Sequence, residues 1–269
     1  MTLDTAAGPV RCFFGGAPRG AGAPVVLLVH GSGGDATVWD AMLPFFRSVT
    51  AVALDLPGRG ASSAPRLPSA AAYAAFLDQV RQALEVPSLF VVGQSLGGGI
   101  AQHYAVDFEA HCDGIVAANS ACDFSISGQR LRAIDDDWEA CVQTYALGQV
   151  SPRASHELLQ ASVRMIRARD RAAFKDDLRA CNGFDSKPWL HRLKKPLLVL
   201  LGQDDPLVVP ARSLAIYERV PHAQLVALAP CGHCTMLEQP RRFAAVIEEF
   251  VSSTEPLVNS RNAKDAKPR

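Results

Sequence analysis

The chain carries no surplus of charge of either sign: 27 Lys and Arg residues stand against 27 Asp and Glu residues among 269. Without a basic or acidic excess it has no electrostatic footprint for a nucleic acid or an anionic membrane. It also has no apolar run near the ~18 residues that span a bilayer, and residues 1–10 show no basic start followed by an apolar stretch. A disulfide framework is missing as well. The seven cysteines are odd in number and scattered at 12, 112, 122, 141, 181, 231 and 234, a usage suited to a reducing compartment. These absences point to a soluble, cytoplasmic protein whose partner is a small-molecule substrate. They leave a homodimer open.

At 48 % hydrophobic, the chain has enough apolar content for a full core. Short apolar runs at 24–30, 49–55, 89–93, 114–118, 196–201 and 224–229 read as buried strands. Helical patterns separate them at 69–85, 96–108, 211–219 and 240–252. Such alternation predicts an α/β fold, a mostly parallel central sheet with helices on both faces. It stops after Ala118 and resumes at Pro196. Helical patterns at 135–147, 151–167 and 169–180 fill the gap, with Ser151-Pro152 as cap and first turn of the second. The expected organisation is a core of residues 1–118 and 196–252, an inserted helical cap at 119–195, and a polar, disordered tail at 253–269.

Gly93-Gln94-Ser95-Leu96-Gly97 follows the apolar run Leu89-Phe90-Val91-Val92. A G-x-S-x-G turn from strand to helix exposes a hydroxyl at its tip, and flanking glycines relieve the crowding there. The amide of Leu96, at the start of the helix, can meet negative charge on an attacked carbonyl oxygen. A serine hydroxyl near neutral pH needs a base. His233 is the best candidate, because it follows the strand at 225–229 and so lies at the carboxyl edge where parallel sheets bind ligands. Asp204 and Asp205, after the strand at 197–201, are the carboxylates available to orient that imidazole. His30-Gly31-Ser32-Gly33-Gly34 offers the Ser32 amide as a second oxyanion donor.

Taken together, these segments resemble the α/β-hydrolase superfamily, in which the order along the chain is Ser, Asp, His. The motifs at 30–34, Asp55-Leu56-Pro57-Gly58-Arg59-Gly60-Ala61-Ser62, Gly202-Gln203-Asp204-Asp205-Pro206 and Gly232-His233 with Glu238-Gln239-Pro240 extend the likeness over about residues 24–252. The resemblance implies a serine hydrolase cleaving a small carboxylic ester or lactone through an acyl-enzyme, with no metal or organic cofactor. It assigns Ser95, Asp205 and His233 as the triad and Ser32 and Leu96 as the oxyanion hole, with Asp204 as the fallback acid. His30 is expected to support its loop, and Asp55 to bond backbone amides of the Pro57-Gly58 turn.

Other readings stand beside this one. Serine at the elbow argues against the aspartate-dependent dehalogenases and epoxide hydrolases of the fold. Cys234 stands where enzymes that hydrolyse carbon–carbon bonds of ring-cleavage products often carry tryptophan, which makes that reaction, like a cofactor-free haloperoxidase, an alternative. A non-catalytic small-ligand receptor of the same fold is another. Cys231-Gly232-His233-Cys234 matches the dithiol motif of protein disulfide isomerases, but here it follows a strand of a larger α/β pattern, and two further zinc ligands are missing nearby. For the substrate pocket, Gly31 and Gln94 are the expected polar edge, and Trp138, Phe174 and Trp189 either form its apolar walls or pack inside the cap.

Overall fold

A computed structural model of the chain describes residues 1–17 and 22–265, with side chains through 254. In chain order the elements are β1 (Thr2–Thr5), β2 (Gly8–Gly16), β3 (Val25–Val29), β4 (Thr50–Leu54), α1 (Ala70–Ala83), β5 (Leu89–Gln94), α2 (Leu96–Asp107) and β6 (Cys112–Ala118). The cap helices follow as α3 (Gly128–Asp136), α4 (Trp138–Gln149), α5 (His156–Arg167) and α6 (Arg171–Asn182). The chain then returns through β7 (Leu197–Gly202), α7 (Pro210–Arg219), β8 (Gln224–Leu228), α8 (Thr235–Glu238) and α9 (Pro240–Asp265).

The strands form one sheet in the order β1-β2-β4-β3-β5-β6-β7-β8. From β4 to β8 every neighbouring pair is parallel, while β1–β2 and β2–β4 are antiparallel. The central strands are apolar throughout because both faces are covered, and successive residues go to opposite sides. Leu27, Val29, Val91, Ile115, Ala117, Leu197 and Val199 pack on one face, under Tyr73, Phe76 and Leu77 of α1 and Ile100 and Tyr104 of α2. Val26, Leu28, Val92, Val116, Leu198 and Leu200 pack on the other, with Trp39, Met42 and, from α9, Phe243, Ile247 and Phe250.

Three differences from the sequence reading have local causes. The hairpin β1–β2 was not foreseen, since its turn at Thr5–Gly8 is built on Ala6-Ala7 and lacks an Asn-Gly or Asp-Gly signal. The cap has four helices, and α3 begins at a Ser127 cap that accepts from Arg130 N. The start of α5 is Ser155, which accepts from Leu158 N, and Ser151-Pro152 lies outside the helix. The cap has its own apolar cluster, including Ile134, Val142, Tyr145, Ile166, Phe174 and Leu178. Phe184, Leu190 and Leu193 already belong to the core beneath the sheet. Of the tail expected at 253–269, the backbone through Asp265 continues α9, and residues 266–269 lie outside the described residues.

The register brings the reactive loops together. Val29 pairs with Gly93, Gly93 with Ala117, Ala117 with Val199 and Val199 with Leu225, so five strands end at one edge. The connection after β3 turns to β4 on one side, and β5 lies on the other. This is a switch point of the kind at which α/β sheets open a crevice.

Leu28 is fully buried in the central strand β3, whereas Leu147 of α4 is 61 % exposed. Leu28→Ala should lower the unfolding free energy by about 2 to 5 kcal/mol, and Leu147→Ala by less than about 0.5 kcal/mol, read from urea denaturation midpoints.

Candidate active site

The turn between β5 and α2 is packed closer than side chains permit. A Cβ on Gly93 would lie 1.9 Å from the Gly97 carbonyl oxygen, and one on Gly97 would lie 2.3 Å from that of Val29. Ser95 itself has φ +56° and ψ −118°, a left-handed strain for a non-glycine residue. Its amide donates to Ala118 O at 2.9 Å, and Ser120 Oγ donates to its carbonyl at 2.8 Å, so neighbouring segments hold the strained residue in place. A Cβ on Gly31 would sit 3.0 Å from Ser95 Cβ, which brings the loop after β3 directly against the elbow.

Across the same edge, His233 Nδ1 and Asp205 Oδ2 are 2.7 Å apart, and both residues are buried. Asp205 Oδ1 accepts from the amides of Leu207 at 2.8 Å and Val208 at 2.9 Å. Its Oδ2 also accepts from Asn119 Nδ2 at 2.9 Å. With three such donors beside the imidazole, the carboxylate is directed at Nδ1. Asp204 points elsewhere, taking a 2.6 Å hydrogen bond from Ser151 Oγ. Of the two candidate acids, Asp205 is therefore the one in contact with His233. A Cβ on Gly202 would lie 2.1 Å from Gly232 O, so the acid and histidine loops approach through bare backbone.

Asn119 was not anticipated. It follows β6 with φ +47°, a conformation asparagine tolerates better than most residues. Besides Asp205, its amide group donates to Gly232 O at 3.2 Å, and its Oδ1 accepts from Thr235 Oγ1 at 3.0 Å. One side chain thus ties the acid loop, the histidine loop and α8 together. The sequence signal, an asparagine at a strand's carboxyl end, was too common to select it. Glu238 works similarly on the histidine loop, accepting from the amides of Gly232 and Ser151. Burial raises its pKa, against the pull of those two amides.

The loop at 30–34 is gripped from both sides. His30 is fully buried, its Nε2 accepts from Leu56 N at 3.1 Å, and Nδ1 lies 2.8 Å from Gly31 O. Burial lowers its pKa, in keeping with a neutral ring that braces the loop. From the cap, Asp177 accepts from Gly33 N at 2.7 Å and pairs with the buried Arg59, while Arg169 Nη1 donates to Ser32 O at 3.0 Å. Asp55 does bind backbone, accepting from Ala61 N in the loop that follows Pro57-Gly58 and from Ala36 N, each at 2.8 Å, and Arg11 pairs with it at 2.7 Å. Gly60, at φ +55°, lets that loop approach so closely that a Cβ there would overlap the Asp55 carboxylate.

A cavity of about 890 Å³ between core and cap is lined by Gly31, Ser32, Gln94, Ser95 and His233. Leu96 lies beneath it, buried at the start of α2. Phe174 forms part of the wall. Among the described residues, Trp138 and Trp189 do not. Trp189 lies on the core side, tilted 4.5 Å from the His103 ring and edge-on to Phe184, and Trp138 faces Phe174 and Arg171 within the cap. The described residues include no cluster of three metal-ligating groups.

Cys231 and Cys234 are free, buried thiols, and burial pushes both pKa values up to about 12. Cys234 Sγ donates to Gln149 Oε1 at 2.5 Å. A reactive dithiol needs the opposite, a lowered pKa and access. At pH 8 both thiols are therefore held protonated in the folded protein. Iodoacetamide at that pH should leave both unmodified in the folded protein and modify all seven cysteines after denaturation, read by mass spectrometry. Asn119→Ala removes three buried hydrogen bonds and should cost about 2 to 3 kcal/mol of stability in urea titration.

The sequence profile of the alpha/beta hydrolase family matches residues 26–246. Among curated proteins, the poly(3-hydroxyalkanoate) depolymerase of Ectopseudomonas oleovorans is 29 % identical over 210 residues, 74 % of each chain. The 2-hydroxymuconate semialdehyde hydrolase of Pseudomonas sp. CF600 is 26 % identical over 88 % of this chain and 89 % of its own. A crystal structure of a hydrolase from Pseudomonas aeruginosa PA01 superposes with a TM-score of 0.82 at 26 % identity, covering 93 % of this chain and 97 % of that one. The enol-lactonase of Burkholderia xenovorans LB400 shares the fold, with a TM-score of 0.84 at 18 % identity over 94 % of this chain and all of its own. With the profile spanning most of the sequence and the elbow, acid and histidine loops at one sheet edge, the chain belongs to the alpha/beta hydrolase family.

Proposed function

We propose that the protein hydrolyses a small carboxylic ester or lactone through an acyl-enzyme on Ser95. The observation that carries this reading is the buried 2.7 Å contact of Asp205 with His233 Nδ1, beside a cavity that His233 and Ser95 both line. With Nδ1–H donated to the carboxylate, Nε2 is free to take the Ser95 proton as Oγ attacks the carbonyl carbon. The amides of Ser32 and Leu96 receive the developing oxyanion. His233 then returns the proton to the departing alkoxide. Water repeats the sequence, with His233 as base, to release the acid and restore Ser95. Asp205 stabilises the imidazolium formed at each step. No step calls for a metal or organic cofactor.

A second reading, hydrolysis of a carbon–carbon bond, draws on the identity with 2-hydroxymuconate semialdehyde hydrolase over 88 % of the chain. Cleavage of a ring-fission dienoate faster than of any ester would favour it.

A fluorophosphonate should label Ser95 in the folded protein and fail on Ser95→Ala. Absence of labelling would overturn the mechanism. Asp205→Asn should lower kcat on p-nitrophenyl esters by about 10³ to 10⁴, and Asp204→Asn by no more than a few-fold, since Asp204 bonds Ser151 and not the imidazole.

A further inference from the structure

The cavity wall is unevenly charged. Five arginines line it, Arg59, Arg130, Arg164, Arg169 and Arg212, against two aspartates, Asp35 and Asp170. Both aspartates are turned to backbone as helix caps, on Thr37 N at 2.9 Å and Ala173 N at 2.7 Å. Arg59 pairs with Asp177, and Arg212 with Asp123. Among the described residues Arg130, Arg164 and Arg169 have no acidic partner.

Arg169 stands out among these three. It is half-buried between α5 and α6, and its guanidinium lies 5.3 Å from the Phe174 ring centre. One of its five N–H groups donates to Ser32 O at 3.0 Å. The others have no partner among the described residues. Burial lowers its pKa, and a partly buried guanidinium with free N–H groups gains charge-assisted hydrogen bonds from an anion that completes it. The neighbouring Tyr145 hydroxyl is buried with no hydrogen-bond partner, and its ring meets Phe174 edge-on at 4.9 Å. A guanidinium fork and a phenolic donor are the groups that recognise a planar carboxylate.

We propose that this cavity carries an anion subsite centred on Arg169, and that the substrate is an ester or lactone bearing a free carboxylate. The ester half of the statement rests on the serine-hydrolase reading, and the subsite stands on its own geometry. The bonds from Ser32 N through Cα and C to its carbonyl oxygen sum to ~4 Å. With the 3.0 Å hydrogen bond added, Arg169 Nη1 lies within about 7 Å of the Ser32 amide. A carboxylate held there is close enough for a short aliphatic spacer to link it to a carbonyl at Ser95. Leu178, Met165 and Phe124 line the same cavity and give that spacer an apolar surface.

Mono-p-nitrophenyl adipate and p-nitrophenyl hexanoate share a six-carbon acyl chain and differ in the terminal carboxylate. The native protein should prefer the adipate ester by about 10-fold or more in kcat/KM, through KM. Arg169→Met should collapse that ratio, and Arg169→Lys, which keeps charge without the fork, should give an intermediate ratio. Equal unfolding midpoints for the two variants would exclude a folding effect. Free adipate binding, measured by calorimetry on Ser95→Ala with and without Arg169→Met, separates the two readings. Adipate affinity lost with Arg169 while no ester is turned over sustains the subsite and removes the hydrolase. Ester turnover with an unchanged charge ratio in Arg169→Met, or adipate binding indifferent to Arg169, overturns the subsite. Inorganic phosphate competing as well as adipate would overturn its assignment to a carboxylate.

Discussion

Close backbone packing at glycine is the constraint on which the site depends. At Gly31, Gly93, Gly97 and Gly202 an added Cβ would fall 1.9 to 2.3 Å from another group: a carbonyl oxygen of a neighbouring segment at Gly97 and Gly202, one within the same turn at Gly93, and the Gln94 side chain at Gly31. A side chain at Gly93 would break the turn itself, and one at the other positions would push the strand-end loops apart. Without one, the loop after β3 lies on the elbow, and the loop after β7 lies on the histidine loop. Ser95 keeps its strained φ because the segments on either side leave it no other path.

The cap is joined to the loop at 30–34 and does not simply cover it. Asp177 and Cys181 of α6, with Arg169 just before it, reach Gly33 N, Ser32 Oγ and Ser32 O. The Arg59–Asp177 pair is almost fully buried. Such a pair adds little net stability, because desolvation offsets its attraction. Its consequence is positional: a shift of α6 would move the loop at 30–34 with it. Cap position and loop position are therefore one mechanical property. The uncompensated arginines lie on the same cap, so groups that would recognise a substrate and groups that hold the loop share one element.

The central strands were legible because a two-sided sheet requires uninterrupted apolar runs, and 89–93 or 196–201 hardly differ from the observed strands. The N-terminal hairpin was illegible because its turn carries no diagnostic residue and its burial alternates irregularly. Trp138 and Trp189 misled as cavity walls, since a large aromatic in an insertion packs wherever apolar partners lie, and periodicity does not name them. Ser151 read as a helix cap, yet its hydroxyl bonds Asp204, 53 residues away.

By itself the sequence determined the fold class, the glycine-flanked turn at Ser95, and the placing of Asp205 and His233 after strands, because these depend on local spacing and strand ends. The tertiary structure decided which carboxylate meets the imidazole, that Asn119 ties both loops, and that Asp177 and Arg169 hold the loop at 30–34. Those contacts span 28 to 144 residues of chain. Their partners are selected by the register of the sheet and the docking of the cap, and no local pattern of residues encodes either.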